Sequence, residues 1–129
     1  MEKKQLYMIG NSHIDPVWFW EWEEGMQEVK ATFQSALDRM REFEDYRFTS
    51  TSTAFFQWIE KLLPDLFEEI RQRVLEGRWE ITGGWFIEPD CLLPCGEAFA
   101  RHGLYGQRYL KSGNLVASVT KLAAGMQDS

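Results

Sequence analysis

The order of the apolar patterns constrains the fold of this chain more than any other feature of its sequence. Short segments with alternating or continuous apolar residues are typical of strands, and apolar residues spaced three and four apart are typical of amphipathic helices. These patterns predict strands over 5–9, 46–51 and 78–82, and helices over 21–44, from Ser52 or Thr53 to near Pro64, from Asp65 to Gly77, and over 97–111. The order β-α-β-α-α-β-α is typical of a parallel sheet with helical crossovers.

The predicted strands and helices do not complete such a fold. A parallel sheet is normally covered on both faces, and an uncovered edge strand offers unpaired backbone groups to other chains. We therefore expect an α/β fold that is an incomplete β/α barrel, with about three parallel strands and helical crossovers. Such a sheet should be marginally stable, prone to aggregation, or dependent on association through its exposed edge.

The composition fits one globular domain and argues against two classes of partner. The 129 residues are 44% hydrophobic and 15% aromatic, which is enough to build a core. The net charge is -6, and Lys and Arg are scattered among acidic residues, so we expect no nucleic-acid partner. No segment approaches the roughly 20 apolar residues that cross a bilayer, so we expect no membrane partner. The small number of cysteines and the lack of a secretory signal predict a cytoplasmic protein.

The segment GNSHIDPVWFW, residues 10–20, contains the strongest candidate site. His13 and Asp15 are two positions apart, so in an extended backbone a ring nitrogen and a carboxylate project to the same side. They follow a predicted strand, and ligands of barrels and open sheets bind at the carboxyl ends of strands. The pair could bind a metal ion, although a catalytic zinc normally takes about three protein ligands. An H-x-D triplet also occurs by chance, so the pair alone does not establish a site.

Other potential metal ligands are weaker. Cys91 and Cys95 form a C-x3-C pair without a second cysteine pair, whereas structural zinc sites usually have about four ligands. His102 follows Arg101 inside a predicted helix and is expected on the helix surface or at the edge of the core. We therefore expect neither a thiolate zinc site nor a ligand role for His102.

Five sequence features occur in an order that is specific enough to indicate a family. They are GNSHIDPVWFWEWEEG, the long helix after it, FTSTSTAFFQW, EGRWEITGGWFIEPDCLLPCGEAFAR and GLYGQRYL. Through them, about residues 6–111 resemble the N-terminal catalytic region of glycoside hydrolase family 38 α-mannosidases. The resemblance implies a β/α-barrel catalytic domain, a zinc ion in the active site, and retaining hydrolysis of terminal α-mannosides.

The resemblance also assigns roles to individual residues. In this family the zinc is bound by the His and Asp of the first block, which are His13 and Asp15 here, and by an Asp and a His further along. The later Asp is also the nucleophile. Zinc suits this chemistry because it can bind vicinal sugar hydroxyls and favour the distorted ring of an oxocarbenium-like transition state. The expected substrate is an α-mannoside or a mannose-containing oligosaccharide.

Three further residues are expected to contact the substrate. The family places a tryptophan under the bound sugar at the position of Trp18, where an indole can stack on the apolar C–H face of the ring. Trp85 and Asp90 lie in the block GGWFIEPD, which borders the substrate pocket in the family. Glu88 of the same block is a further candidate for the pocket wall. The alternatives are that Trp18 is an ordinary core aromatic, that Asp90 caps a turn after Pro89 and that Glu88 is solvated.

The resemblance ends at about Ser112. We therefore divide the chain into residues 1–111, the N-terminal part of the catalytic barrel, and a divergent tail, residues 112–129, outside the family fold. The only acidic residue of the tail is Asp128, in no family-like context, so no catalytic residue is assigned in this chain. We expect a truncated or frameshifted gene product that hydrolyses α-mannosides poorly or not at all. A family-like continuation in a neighbouring reading frame downstream of Lys111 would identify a frameshift.

Two alternative functions stay open. A non-catalytic remnant or weak carbohydrate-binding fragment would use Trp18 and its neighbours. A metal-dependent amidohydrolase or deacetylase would also carry paired ligands after its first strand, but it needs histidines at later strand ends. Only His13 and His102 are present, so the mannosidase family fits better.

Overall fold

The computed structural model describes residues 4–112 and residue 115. Within these residues the strands and helices follow the predicted order. The strands are β1 (Gly10–Asn11), β2 (Phe48–Ser50) and β3 (Trp79–Ile81), and the helices are α1 (Trp22–Glu42), α2 (Thr53–Leu62), α3 (Pro64–Leu75) and α4 (Gly96–Ser112). Among these helices, none is long and apolar enough to span a membrane.

The strands form one parallel sheet in the order β1-β2-β3. β2 lies in the centre, where Phe48 pairs with Gly10 of β1 and with Trp79 of β3. The predicted α/β fold with three parallel strands and intervening helices is therefore confirmed. The described strands form an open sheet, and its continuation into a barrel stays a prediction.

The core lies on one face of this sheet. Alternate strand positions point to the same face, and those on the core side are buried, namely Phe48, Ser50, Trp79 and Ile81. Each helix adds buried side chains to the same cluster, including Phe33 from α1, Phe56 from α2, Ile70 from α3 and Leu110 from α4. Thr49 and Glu80 point to the opposite face, where Thr49 is half-buried and Glu80 is exposed. The sheet thus has one packed face and one more open face.

Trp79 lies at the centre of the core and is 0% exposed. Its ring centroid is 5.0 Å from that of Phe33, 4.7 Å from that of Phe48 and 6.5 Å from that of Phe56. Its indole N–H donates a hydrogen bond of 3.0 Å to Ser50 Oγ, which satisfies the polar group of the ring in apolar surroundings. One side chain therefore connects β3 to β2, α1 and α2.

The first strand differs from the prediction. β1 begins at Gly10, whereas the sequence pattern places a strand over 5–9. A strand needs a neighbouring backbone, but the chain shortly before β2 forms a turn in which the Tyr46 N–H donates to the Phe43 carbonyl. No described strand therefore pairs with residues 5–9. The large apolar side chains of this segment are exposed, namely Leu6, Tyr7, Met8 and Ile9.

The ends of α3 confirm one helix signal and correct another. The predicted cap at Asp65 is wrong, because Leu63 is the N-cap residue and Pro64 occupies the first turn. Proline suits this position because it has no N–H group to leave unsatisfied. Gly77 lies just beyond the last residue of α3 with φ of 71°, so its predicted role as the helix terminator is confirmed.

Only Ser112 and Leu115 of the predicted tail lie within the described residues. Ser112 is the last residue of α4, and Leu115 is 0% exposed and belongs to the core cluster. The chain therefore still contacts the core just after α4. The division at residue 111 and the frameshift hypothesis stay predictions.

Two helical glycines allow backbone segments to approach closely. A Cβ atom at Gly25 in α1 would lie 2.1 Å from the Pro16 carbonyl oxygen. A Cβ atom at Gly106 in α4 would lie 2.1 Å from the Gly84 carbonyl oxygen. Both separations are far below van der Waals contact, so any larger side chain would push the segments apart. α1 is thereby packed on the loop after β1, and α4 on the loop after β3.

We expect Gly106→Ala to lower the free energy of unfolding by about 1–3 kcal/mol, because the added methyl group overpacks against the Gly84 backbone. The matched control is Gly103→Ala in the same helix, whose Cβ would meet only Trp85 Cζ3 at 4.0 Å. This control should be neutral or stabilising by up to about 1 kcal/mol, since alanine favours helix. Urea denaturation followed by circular dichroism measures the free energy of unfolding of both variants. Equal destabilisation by the two substitutions would contradict the close-packing explanation.

Candidate functional site

The loops that follow the three strands meet at the carboxyl edge of the sheet. His13 follows β1, Thr51 follows β2 and Glu88 follows β3. Because the strands are parallel, their carboxyl ends share one edge. The Glu88 carboxylate accepts a hydrogen bond from the Thr51 hydroxyl through Oε1, and its Oε2 lies 2.8 Å from His13 Nδ1. The fold thus brings one residue from each loop into a single polar cluster.

The His13 and Asp15 side chains converge on one point. His13 Nε2 lies 3.5 Å from Asp15 Oδ1. Zinc binds nitrogen and oxygen ligands at about 2.0–2.2 Å, so two ligands of a tetrahedral ion lie about 3.3–3.5 Å apart. The observed separation therefore fits a single cation bound by both groups. Both side chains are open to solvent, with exposed fractions of 69% and 43%, so a ligand can reach them.

This pair lines an open cleft of about 470 Å³. The walls come from the loop after β1 and from one side of α1, and consist of Ser12, His13, Ile14, Asp15, Trp20, Glu24, Glu28 and Thr32. The carboxylates of Asp15, Glu24 and Glu28 give the cleft an acidic character. Such a surface favours a cation or a neutral ligand over an anion.

The backbone that carries Asp15 is fixed against α1. The indole N–H of Trp20 donates a hydrogen bond of 3.2 Å to the Asp15 carbonyl oxygen. The next carbonyl, of Pro16, packs on Gly25 of α1. These two contacts hold the loop in place, so binding a ligand at the pair requires little ordering of the backbone.

Glu88 is a candidate wall residue of the pocket in the sequence-based prediction, but its contact with His13 was not predicted. Its carboxylate contacts two loops, and its backbone N–H donates a hydrogen bond of 3.3 Å to Ser52 Oγ. Glu88 is therefore held by specific partners and is more than a solvated side chain. The available signal was its location in GGWFIEPD after the third strand. Nothing in the sequence pairs position 88 with position 13, because that contact depends on the register of the sheet.

The residues that the structure describes do not contain a complete metal site. Within them, no group of three His, Cys, Asp or Glu side chains is placed to bind one ion. Glu88 does not serve as a third ligand beside Asp15, because Glu88 contacts Nδ1 of His13 whereas Asp15 faces Nε2. These nitrogens point to different sides of the imidazole ring. His13 and Asp15 could therefore hold a metal only together with water or further protein ligands.

The weaker ligand candidates have other environments. Cys91 and Cys95 are exposed free thiols. His102 is half-buried, and its Nδ1 accepts a hydrogen bond of 3.4 Å from the Ile87 N–H. Its ring also lies beside that of Phe86, with 6.3 Å between the centroids. This position at the edge of the core agrees with the structural role expected for His102.

The aromatic residues of the first block are largely open to solvent. Trp18 is 63% exposed and Phe19 is 94% exposed, and their rings meet edge to face at 5.8 Å. An exposed indole can stack on the apolar face of a sugar. The position of Trp18 is therefore compatible with its expected substrate contact, which stays a prediction.

Trp85 and Asp90 have structural contacts of their own. Trp85 is 36% exposed and packs edge to face on Phe99 of α4 at 6.1 Å. Asp90 Oδ1 accepts backbone hydrogen bonds from Leu92 at 2.7 Å and from Leu93 at 3.3 Å. Asp90 thus caps a turn after Pro89, which is the alternative given for it above. The substrate contacts expected for both residues stay predictions.

Sequence comparison provides independent information on the family. Residues 3–119 match the profile of the glycosyl hydrolases family 38 N-terminal domain. The match includes β1, β2, β3 and all the site residues described above. It also continues past Lys111, where the resemblance of the sequence blocks ends.

Curated relatives agree with the profile. Over 83% of its own length, the chain is 33% identical to alpha-mannosidase G of Dictyostelium discoideum. Over 81% of its own length, it is 30% identical to an alpha-mannosidase of Saccharomyces cerevisiae. It is 28% identical to human alpha-mannosidase 2C1 over 81% of its length. In each case the chain spans only 10% of the relative. The profile match, which covers most of the chain, shows that this chain belongs to the glycosyl hydrolase family 38, in its N-terminal domain.

Proposed function

We propose that this chain forms the N-terminal part of the catalytic centre of an α-mannosidase, with His13 and Asp15 as half of a zinc site. One observation carries the proposal: in a chain of this family, His13 Nε2 lies 3.5 Å from Asp15 Oδ1 at the carboxyl edge of a parallel sheet. Nitrogen and carboxylate oxygen are ligands that zinc accepts at catalytic sites. The other ligands would come from polypeptide outside the described residues.

The proposed substrate is a terminal α-mannoside or a mannose-containing oligosaccharide. Zinc at this site would bind vicinal sugar hydroxyls and help to distort the ring toward an oxocarbenium-like geometry. His13 and Asp15 would hold the ion, and Trp18 would offer its exposed face to the C–H side of the sugar. Trp85 and Asp90 would form part of the pocket wall in addition to their structural contacts.

These residues alone should not hydrolyse the substrate. Retaining hydrolysis needs two carboxyl groups about 5–5.5 Å apart, one as the nucleophile and one as the acid. The nearby carboxylates have other tasks in this proposal, because Asp15 faces the metal and Glu88 is bound to His13 and Thr51. The family resemblance places the nucleophile beyond the blocks found in this chain.

A second candidate function is weak carbohydrate binding without catalysis. The exposed rings of Trp18 and Phe19 favour it, because aromatic side chains on a rim loop can contact a sugar without a complete metal site. In this case sugar binding would not depend on zinc.

Zinc binding is the first test. His13→Ala and Asp15→Ala should each weaken Zn²⁺ binding by at least about tenfold, because each removes one of the two protein ligands. Isothermal titration with zinc chloride measures the affinity. His102→Ala is the matched control, because it removes the only other histidine of the chain and should leave zinc binding unchanged. A loss in the His102 variant that equals the loss in the His13 variant would place the metal elsewhere.

Turnover is the second test. The isolated chain should release no aryl group from a chromogenic aryl α-mannoside, with or without added Zn²⁺, because the nucleophile is not assigned within it. A polypeptide carrying the later part of a family 38 catalytic domain, mixed with the wild-type chain, should support more turnover than with the Asp15→Ala chain. Zinc-dependent hydrolysis by the isolated chain would contradict the proposed division of the site.

A matched pair of tryptophan substitutions tests the sugar-stacking role. Trp18→Ala should change the free energy of unfolding by no more than about 0.5 kcal/mol, because the side chain is largely exposed. It should nevertheless weaken the saturation-transfer NMR signal of methyl α-mannoside. Trp85→Ala should lower the free energy of unfolding by about 1–3 kcal/mol, less than for a fully buried tryptophan. An unchanged sugar signal in the Trp18 variant would exclude this stacking role.

A further inference from the structure

The two oxygens of the Glu88 carboxylate lie between two different loops. Oε2 is 2.8 Å from His13 Nδ1 in the loop after β1, and Oε1 accepts a hydrogen bond from the Thr51 hydroxyl after β2. Because both oxygens are engaged, the plane of the carboxylate is fixed relative to the His13 ring. The cluster therefore sets the orientation of the imidazole as well as its distance.

The backbone that carries Glu88 is also anchored. The Glu88 N–H donates to Ser52 Oγ at 3.3 Å, at the start of α2. Two residues of the same segment accept backbone hydrogen bonds from the first turn of α2: Trp85 from Thr53 and Phe86 from Ala54, both at 2.9 Å. The loop after β3 is thus joined to the start of α2 by three hydrogen bonds. Glu88 reaches His13 from a supported position.

The hydrogen bond at Nδ1 determines which ring nitrogen stays free. A separation of 2.8 Å is a hydrogen bond, whereas 3.5 Å to Asp15 is at the outer limit of one. Because a carboxylate only accepts hydrogen bonds, this contact favours the proton on Nδ1 in a neutral His13 ring. The lone pair of Nε2 is then directed toward the Asp15 side, where a cation would bind.

We propose that Glu88 is a positioning residue that fixes the ring orientation and tautomer of His13, so that Nε2 faces the same point as the Asp15 carboxylate. Metal-binding histidines usually donate their second ring N–H to a carboxylate or carbonyl, which orients the ring and strengthens the ligand. This inference rests on the proposed zinc site for its purpose. The state of the ring can still be measured without metal, so the two ideas can be tested separately.

The competing explanation is an ordinary surface ion pair. Both side chains are substantially exposed, and exposed pairs contribute little to stability. A stability measurement therefore would not separate the two explanations. The tautomer of His13 and the metal affinity separate them, because a pair without a positioning role would leave the metal affinity unchanged.

The first experiment records long-range ¹H–¹⁵N NMR spectra of the metal-free chain with ¹⁵N-labelled histidine, at a pH where the imidazole is neutral. The chain has only two histidines, so the His102→Ala spectrum assigns both. We expect His13 in the Nδ1–H form in the wild type and a mixture of both tautomers in Glu88→Ala. Glu88→Gln should retain the Nδ1–H form, because its amide oxygen can still accept the hydrogen bond.

The second experiment measures Zn²⁺ affinity for the same variants. Glu88→Ala should weaken binding by about 10-fold to 100-fold, and Glu88→Gln by less. Glu97→Gln is the control, because its carboxylate also accepts an exposed hydrogen bond, at 2.8 Å from Arg101 Nε, in another part of the fold. This control should change neither the His13 spectrum nor the zinc affinity. If Glu88→Ala does not fold, Glu88→Met replaces it, because methionine is similar in length and has no carboxylate to accept the hydrogen bond from His13.

The outcomes separate this inference from the proposed function. An unchanged His13 tautomer in Glu88→Ala, or in Glu88→Met where that variant replaces it, overturns the inference. Equal zinc affinity of that variant and the wild type also overturns it. A wild-type chain that binds no zinc overturns the proposed metal site, and the tautomer of metal-free His13 then decides the positioning role alone. Loss of the Nδ1–H form together with weaker zinc binding in the Glu88 variant supports the positioning role of Glu88 and the proposed zinc site.

Discussion

The burial of Trp79 between the sheet and the helices is the interaction on which the rest of the structure depends. Its ring contacts aromatic side chains from β2, α1 and α2, and its indole N–H is satisfied by Ser50. A large aromatic side chain of this kind removes much apolar surface from water and so dominates the energy of a small core. Its hydrogen bond to β2 also favours one alignment of β3 on β2, and that register decides which loop residues meet beyond the strands.

The candidate site is built where this packing ends. At the carboxyl edge of the sheet the buried apolar layer gives way to short polar loops, and the contacts among His13, Thr51 and Glu88 are hydrogen bonds in contact with solvent. Such contacts add little to stability but fix direction. The packed core therefore holds the loops in place, and the hydrogen bonds of the polar cluster fix the directions of its side chains. The glycine contacts at Gly25 and Gly106 serve the same purpose, because they pack α1 and α4 directly on the loops that carry the site.

The open face of the sheet and the exposed segment before β1 show which surfaces this packing leaves uncovered. Thr49 and Glu80 lie on the less buried face, and the apolar side chains of residues 6–9 lie in solvent. Parallel sheets are normally covered on both sides, so these surfaces are open to packing by further polypeptide. Association through the exposed edge stays a prediction on the same physical ground.

Sequence patterns alone predicted the order of the strands and helices and the pairing of His13 with Asp15 in the candidate site. Helical periodicity and turn residues such as Gly77 are local signals. Because they are local, the order β-α-β-α-α-β-α could be derived from the sequence. The side-by-side placement of His13 and Asp15 is equally local, because it follows from a spacing of two in an extended loop. The five family blocks also sufficed to identify the family that the sequence comparison supports.

Three features depended on tertiary structure. β1 is confined to Gly10–Asn11, because pairing needs a neighbouring strand and the chain before β2 turns away. Gly25 is required by the nearby Pro16 carbonyl, a contact that helix propensity does not reveal. Glu88 joins His13 across a sequence separation of 75 because the parallel register brings the ends of β1 and β3 to one edge. The sequence by itself determined the order of the elements and the local pair of His13 and Asp15. Only the packing of the sheet around Trp79 decided which distant residue contacts His13, since long-range register is set by the shared core and not by local pattern.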